Sequence, residues 1–289
     1  MKPNKKFLNQ PKLFWANVRS ASQQIGYTEY GTDRIKNPSV RETADALKEL
    51  GLESSHVIGS DGRATELGSN LLAYFEHRAT ALNDVARPHL MDAKKARANF
   101  HQLKKQLKPK CPLPMNKQKG DKKAEAYFTG IINMLIESNS EGFPCDYNPM
   151  KLTSVTVGGA PLRTLARRVD GAFPSTVNPI AVWEIKEYYY TTTFGSRIAD
   201  GVYESLLDGM ELEELREHEH IDVKHYLMVD AYDTWWNMGR SYLCRIVDML
   251  HMGYVDEALF GSEVLDRLPV LVREWAATAK KRAKSAEPL

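Results

Sequence analysis

The sequence predicts an α/β protein: a mixed sheet flanked by helices, preceded by a mainly helical N-terminal domain. Three observations carry this expectation. The first hundred residues place apolar side chains at helical spacing behind helix-starting residues. The stretch 154–189 is instead rich in β-branched and aromatic residues around a Gly158-Gly159 turn. After it the pattern returns to helix, then a short apolar run His225–Val229, then helix again, the order of a sheet packed between helices.

Taken in order, Asn37-Pro38-Ser39 offers a helix start, and Val40, Ala44, Leu47 and Leu50 form an apolar face that Gly51 ends. His56-Val57-Ile58 reads as a short strand leading into the turn Gly59-Ser60-Asp61-Gly62. Thr65 then caps a helix carrying Leu67, Leu71, Leu72 and Phe75. Helix, short strand, glycine turn and helix suit either a winged-helix module or a plain helical support domain. Pro109, Pro112 and Pro114 mark a basic, proline-containing linker over 109–120, dividing a first domain (1–108) from a second (121–289). The run 121–137 is amphipathic and reads as a helix. Strands are expected at 154–157, 164–169 and 180–189, a helix from Arg197 to about Arg216, the strand 225–229, and helix to about Lys281.

Composition narrows the function classes. With 43% hydrophobic and 26% charged residues, the chain is ordinary for a globular protein long enough to bury a substantial core. No segment approaches the apolar run of about 20 residues that a membrane helix needs, and no signal-peptide core follows the basic N-terminus. A cytoplasmic protein without a membrane partner is expected. Cys111, Cys145 and Cys244 lack the spacing of a zinc ribbon or disulfide framework. His218 and His220 lie in a very polar stretch that reads as a solvated loop. Net charge is only +2, but between Lys94 and Lys123 there are eleven Lys or Arg residues against one acid, Asp121. Such a block either attracts phosphate backbones by counterion release, with Lys104 and Lys105 as candidate contacts, or is a solvated linker.

The chemistry concentrates in Arg168-Val-Asp170-Gly171 and Val182-Trp-Glu184-Ile-Lys186. On a strand, Glu184 and Lys186 share one face with Val182, while Trp183 and Ile185 cover the other. A carboxylate and an ammonium on an element this apolar need partners or a metal. Asp170, at the end of the preceding strand, can return beside Glu184. Two converging carboxylates suit Mg²⁺, which takes one or two such ligands plus waters and a substrate phosphate. Lys186 is then placed to orient water or stabilise charge on the phosphate.

This arrangement resembles the PD-(D/E)xK nuclease superfamily, of which restriction endonucleases are members. The resemblance covers roughly residues 120–250, and Val169 stands where the name-giving proline would be. It implies a restriction-endonuclease-like core, Mg²⁺-dependent hydrolysis of DNA phosphodiester bonds, and catalysis by Asp170, Glu184 and Lys186. It also implies Glu125, on the preceding helix, as a further acid for the metal site. Glu187 reads as an outward charge or a water-mediated partner. A type II restriction endonuclease, acting on double-stranded DNA as a homodimer, is the first expectation. A repair or other phage-defence nuclease, or a non-catalytic DNA-binding regulator, are the alternatives. Thr193, Ser196 and Arg197, just beyond the motif, are candidate phosphate contacts or simply the capped start of a helix. Arg41 and Lys48 would face bases if the first domain reads DNA. Trp235 and Trp236 read as core residues.

Overall fold

The computed structural model describes the chain except residues 118, 121–122, 191–194 and 287–289, and without the side chains of 196, 197, 285 and 286. The N-terminal region is helical: α1 (Lys12–Ile25), α2 (Val40–Glu49) and α3 (Glu66–Thr80), then a π-helical turn and the short α4 (Arg87–His89). The predicted starts are met. Ser39 accepts from the Glu42 N–H while the Glu42 carboxylate accepts from the Ser39 N–H, a capping box. Thr65 accepts from the Gly68 N–H at 3.0 Å. The expected strand at 56–58 is reduced to a single bridge, Ile58 to Ala64, because the Thr65 hydroxyl takes the His56 and Val57 carbonyls.

The second half is built on a five-stranded sheet of order β1-β4-β5-β6-β7. Its strands are β1 (Asp146–Tyr147), β4 (Gly171–Phe173), β5 (Ala181–Glu187), β6 (Lys224–Asp230) and β7 (Glu257–Phe260). β4 is antiparallel to β1 and β5; β5, β6 and β7 are parallel to one another. The hairpin β2 (Ser154–Val157) and β3 (Ala160–Thr164) forms a separate two-stranded sheet. One face of the five-stranded sheet packs on α5 (Ala93–Leu107), α6 (Tyr127–Asn139) and α9 (Glu263–Ala286), with Phe100, Phe128, Trp183 and Trp275 in that core. The other face carries α7 (Ser196–Glu219) and α8 (Arg240–His251). Trp235 and Trp236 are buried there, as expected.

Three elements differ from expectation, each for a physical reason. The strand read over 164–169 lies instead at 160–164, because the Ala166 N–H is taken by the Glu211 carboxylate of α7 rather than by a strand partner. The helix read from 121 begins at Tyr127. Before it, Met115 and Glu125 form a bridge, and the Ala126 N–H donates to the Pro114 carbonyl. Glu125 therefore precedes the helix instead of lying on it. The segment 257–260, read as helix, is a strand whose four residues are all buried. Gly253 and Gly261 bracket it with φ of 85° and 47°. The basic residues up to Lys105 stand on α5, a helix fixed to α6 by Phe100. A Cβ at Gly130 would come within 2.4 Å of the Phe100 ring, so glycine permits that contact.

Candidate active site

β5 sets the site by its alternation. Trp183 enters the α6–α9 core, whereas Val182 packs with Leu212 and Leu215 of α7. Glu184 and Lys186 lie on the α7 side, 0% and 6% exposed. The antiparallel register pairs Gly171 with Trp183, so Asp170, immediately before β4, falls opposite Glu184. Gly171 is required for this approach, since a Cβ would lie 2.1 Å from the Trp183 ring. The Asp170 N–H donates to Glu184 Oε1 at 3.2 Å, and the Ile185 N–H donates to Asp170 Oδ2 at 2.8 Å. Lys186 Nζ donates to Glu184 Oε2 at 2.7 Å. The three residues singled out in the sequence are thus brought together. Asp170 stands just before β4, however, and does not end a preceding strand.

Three further side chains complete the cluster. Arg167 Nη1 lies 2.9 Å from Glu184 Oε1 and 2.6 Å from Asp208 Oδ2; its Nη2 lies 3.2 Å from Glu204 Oε2. Lys186 Nζ also reaches Glu204 Oε2 at 3.2 Å. Glu204 and Asp208 are one turn apart on α7 and continue the inward stripe of Leu212 and Leu215. That continuation was a readable signal, but α7 carries too many acids for composition to single these two out. Gly201, one turn earlier, makes room for the Lys186 stem: a Cβ there would lie 3.1 Å from Lys186 Cδ.

The electrostatics follow from four carboxylates sharing two cations. Burial and the charge of Glu184 push Asp170 up to about 6, against the opposing pull of Lys186. Burial and Glu184 likewise push Asp208 up to about 7. For Glu184 itself burial favours protonation, but Lys186 and Arg167 together outweigh it and hold the carboxyl low. Burial works against the Lys186 ammonium, yet Glu184 and Asp170 keep its pKa raised, so it stays charged at neutral pH.

Asp170 Oδ1 has no hydrogen-bond partner among the described residues, and a carboxylate oxygen such as Glu184 Oε2 keeps a second lone pair beside its lysine bond. The buried Asp208 Oδ1 likewise has no hydrogen-bond partner among the described residues. This donor set, with its surplus of two negative charges, fits one hard divalent cation bound by one or two carboxylates and water. Among the described residues no group of three or more His, Cys, Asp or Glu side chains is placed to hold a metal ion, so a cation here would rest on one or two carboxylates and water. The carboxylate of Glu125 has no hydrogen bond or ion pair to this cluster among the described residues.

Ionised carboxylates are what such a cation would need, which gives a testable pH dependence. Asp170 and Asp208 have folded-state pKa values above the ordinary 3.8. The folded chain therefore holds their protons more tightly than the unfolded chain, and their contribution to stability falls as pH rises through the interval from 3.8 to about 7. Mg²⁺ should offset that loss. At a concentration 100-fold above its Kd it should raise Tm by ~5 °C near pH 7.5, and by much less near pH 5.5. Thermal unfolding followed by circular dichroism checks this; an equal shift at both pH values would contradict it.

The remaining candidates separate. The Glu187 carboxylate is neither outward nor beside the cluster. It caps α6, accepting from the Thr129 N–H and hydroxyl at 2.9 Å each, which explains why that helix needs no cap of its own. Thr193 lies outside the described residues, and Ser196 and Arg197 open α7 with side chains outside them. Arg41 is exposed on the first turn of α2, and Lys48 pairs with Asp45 at 3.8 Å. Lys104 and Lys105 are exposed on α5. The cysteines are free, and His218 and His220 are exposed. Among the described residues no helix is long and apolar enough to cross a membrane.

Residues 91–275 match the model of a family described as a domain of unknown function, DUF7687, and residues 1–85 match a second such model, DUF7690. The first match spans more than half of the sequence, and the chain belongs to the DUF7687 family. That match takes in α5 together with the whole five-stranded sheet. No curated protein and no solved structure matches this chain.

Proposed function

We propose that this protein is a Mg²⁺-dependent endonuclease that hydrolyses phosphodiester bonds in double-stranded DNA. The observation that carries the reading is the meeting of Asp170, just before β4, with Glu184 and Lys186 on one face of β5. Their setting supports it. The order α6, β1, β4, β5, α7, β6, with β4 antiparallel and β6 parallel to β5, is the helix–hairpin–helix–strand order that the PD-(D/E)xK resemblance implies.

Asp170 and Glu184 would hold the cation. When bound, Mg²⁺ supplies a more acidic water and neutralises charge on the scissile phosphate. Glu184 is fixed for this by Arg167 and Lys186, and Asp170 by the Ile185 N–H. Lys186, which donates to Glu184 and Glu204, is placed to orient the attacking water and to stabilise the developing negative charge. The finer reading is a type II restriction endonuclease working as a homodimer, since two-fold symmetry suits cutting both strands of a palindrome. Incubating the protein with unmethylated phage DNA and Mg²⁺ and sequencing the ends tests it. A recurrent sequence at the cut ends supports restriction, preference for flaps or free ends supports a repair nuclease, and DNA bound but uncut supports a regulator.

The basic helix α5 supplies a polyanion-binding face. From Ala93 to Leu107 it carries no acid, and Lys94, Lys95, Arg97, Lys104 and Lys105 are exposed with no ion pair among the described residues. Replacing Lys94, Lys95, Lys104 and Lys105 with Gln should flatten the dependence of log K on log salt by about 1 for each lysine engaged with phosphate. Fluorescence anisotropy with a duplex in Ca²⁺ measures the slope. An unchanged slope would show α5 to be a solvated surface.

A further inference from the structure

We propose that Arg167 and Asp208 are positioning residues that set how readily Glu184 takes a divalent cation. The inference rests on the metal-dependent reading of the site. Arg167 is shared: a single nitrogen, Nη1, serves both Glu184 Oε1 at 2.9 Å and Asp208 Oδ2 at 2.6 Å, while Nη2 holds Glu204 at 3.2 Å. A guanidinium on Glu184 and a divalent cation on the same carboxylate repel each other, so Arg167 competes with the metal.

Asp208 offers the way out. It is 0% exposed, it faces Arg167 from α7, and its Oδ1 is buried with no hydrogen-bond partner. A buried acceptor left empty calls for an explanation. Guanidinium–carboxylate pairs are strongest when both oxygens are used, and here Asp208 uses one. The charge count points the same way. With all four carboxylates ionised, Asp170, Glu184, Glu204 and Asp208 against Arg167 and Lys186 leave two negative charges uncompensated, the charge of one divalent cation. Arg167 is thus a movable counter-ion. It is shared by Glu184 and Asp208 when the site holds no metal, and drawn fully to Asp208 as the cation engages Glu184.

The test is isothermal titration of the full chain with MgCl₂, without DNA. Asp208→Asn removes the charge that draws Arg167 away and should raise the Mg²⁺ Kd by roughly 10-fold or more, the scale of a lost supporting partner. Arg167→Gln removes the competitor and should lower the Kd below that of the wild type. In the double variant Asp208 has no guanidinium left to draw away, so its Kd should lie within about threefold of that of Arg167→Gln alone, taking the same tenfold scale. A purely structural role for Asp208 would instead leave the double variant about tenfold weaker than Arg167→Gln alone. Folded Asp208→Asn with wild-type affinity, a double variant that much weaker than Arg167→Gln alone, or Arg167→Gln binding more weakly than wild type would each overturn the proposal. Since Arg167→Gln is read alone, a poorly folded Asp208→Asn does not remove the test. Wild-type protein that binds no Mg²⁺ overturns the metal-dependent reading as well, which separates the two failures.

Discussion

Asp170→Asn should lose DNA cleavage by a factor on the order of 10³ while keeping the wild-type fold, the scale found when one group preorganised toward the developing charge is removed. The expectation follows from how each oxygen of Asp170 is used. Oδ2 accepts from the Ile185 N–H, a bond that an asparagine oxygen can keep, whereas Oδ1 is the acceptor left for a cation. The carboxyl already sits at about 6 because it is buried beside Glu184, so a neutral amide suits the folded apo state and the change in stability should stay within ~1 kcal/mol. Glu184→Ala is a poorer test of the same site. It strips the shared partner from Arg167 and Lys186, and a buried pair broken in this way costs ~3–5 kcal/mol. Its inactivity would mix lost chemistry with lost structure. Single-turnover cleavage and thermal unfolding, measured together, distinguish the two. Asp170→Asn cutting at a near wild-type rate would remove Asp170 from the active centre.

Asp248→Ala should have the largest effect on stability. Arg78 on α3 is 1% exposed, and its Nη1 lies 3.1 Å from each oxygen of Asp248 on α8. Its Nη2 donates to Ser22 of α1 at 2.9 Å, and the Tyr74 hydroxyl donates to Asp248 at 2.5 Å. This buried charge pair therefore helps to lock the N-terminal helices onto the sheet-bearing half, beside contacts such as Asn4 and His77 with His251. Removing Asp248 leaves the guanidinium buried with no countercharge, at a cost of ~3–5 kcal/mol. At 2–4 °C per kcal/mol for chains approaching this size, Tm should fall by roughly 10 °C. Asp248→Asn, which keeps a hydrogen-bond acceptor, should lose less. Calorimetric scans give both shifts, and a drop below about 3 °C would mean the pair contributes little to holding the halves together. The same contact argues for point substitutions at Arg41 and Lys48 when testing whether the N-terminal helices read bases. Deleting residues 1–108 would also remove Ala96 and Phe100 from the sheet core.

The legible parts of the sequence were those written in local chemistry. Ser39 and Glu42 announced α2, and Thr65 announced α3, because a cap is made within four residues. The shared face of Glu184 and Lys186 followed from the period of a strand. What the sequence hid depends on contacts made across long loops. Arg167 gives no local sign that it enters an acidic cluster, since its partners lie 17 to 41 positions away. Glu187 looked like surface charge because the helix end it caps is 58 residues earlier. The strand 257–260 resembled helix because one acid followed by three apolar residues carries no usable period, and its pairing with β6 decides the matter. Glu125 was misplaced on a helix by the amphipathic run around it, whereas the backbone between Pro114 and Ala126 closes a small loop first.

The central claim is that Asp170, Glu184 and Lys186 form a metal-dependent DNA-cutting centre. Conversion of supercoiled plasmid, followed over time with purified full-length protein in Mg²⁺ and in EDTA, tests it most directly. Nicked and then linear DNA is expected in Mg²⁺, none in EDTA, and none with Asp170→Asn at the same concentration. Plasmid that stays supercoiled in the presence of folded, Mg²⁺-bound protein, or cleavage that survives either EDTA or the Asp170→Asn substitution, would contradict it.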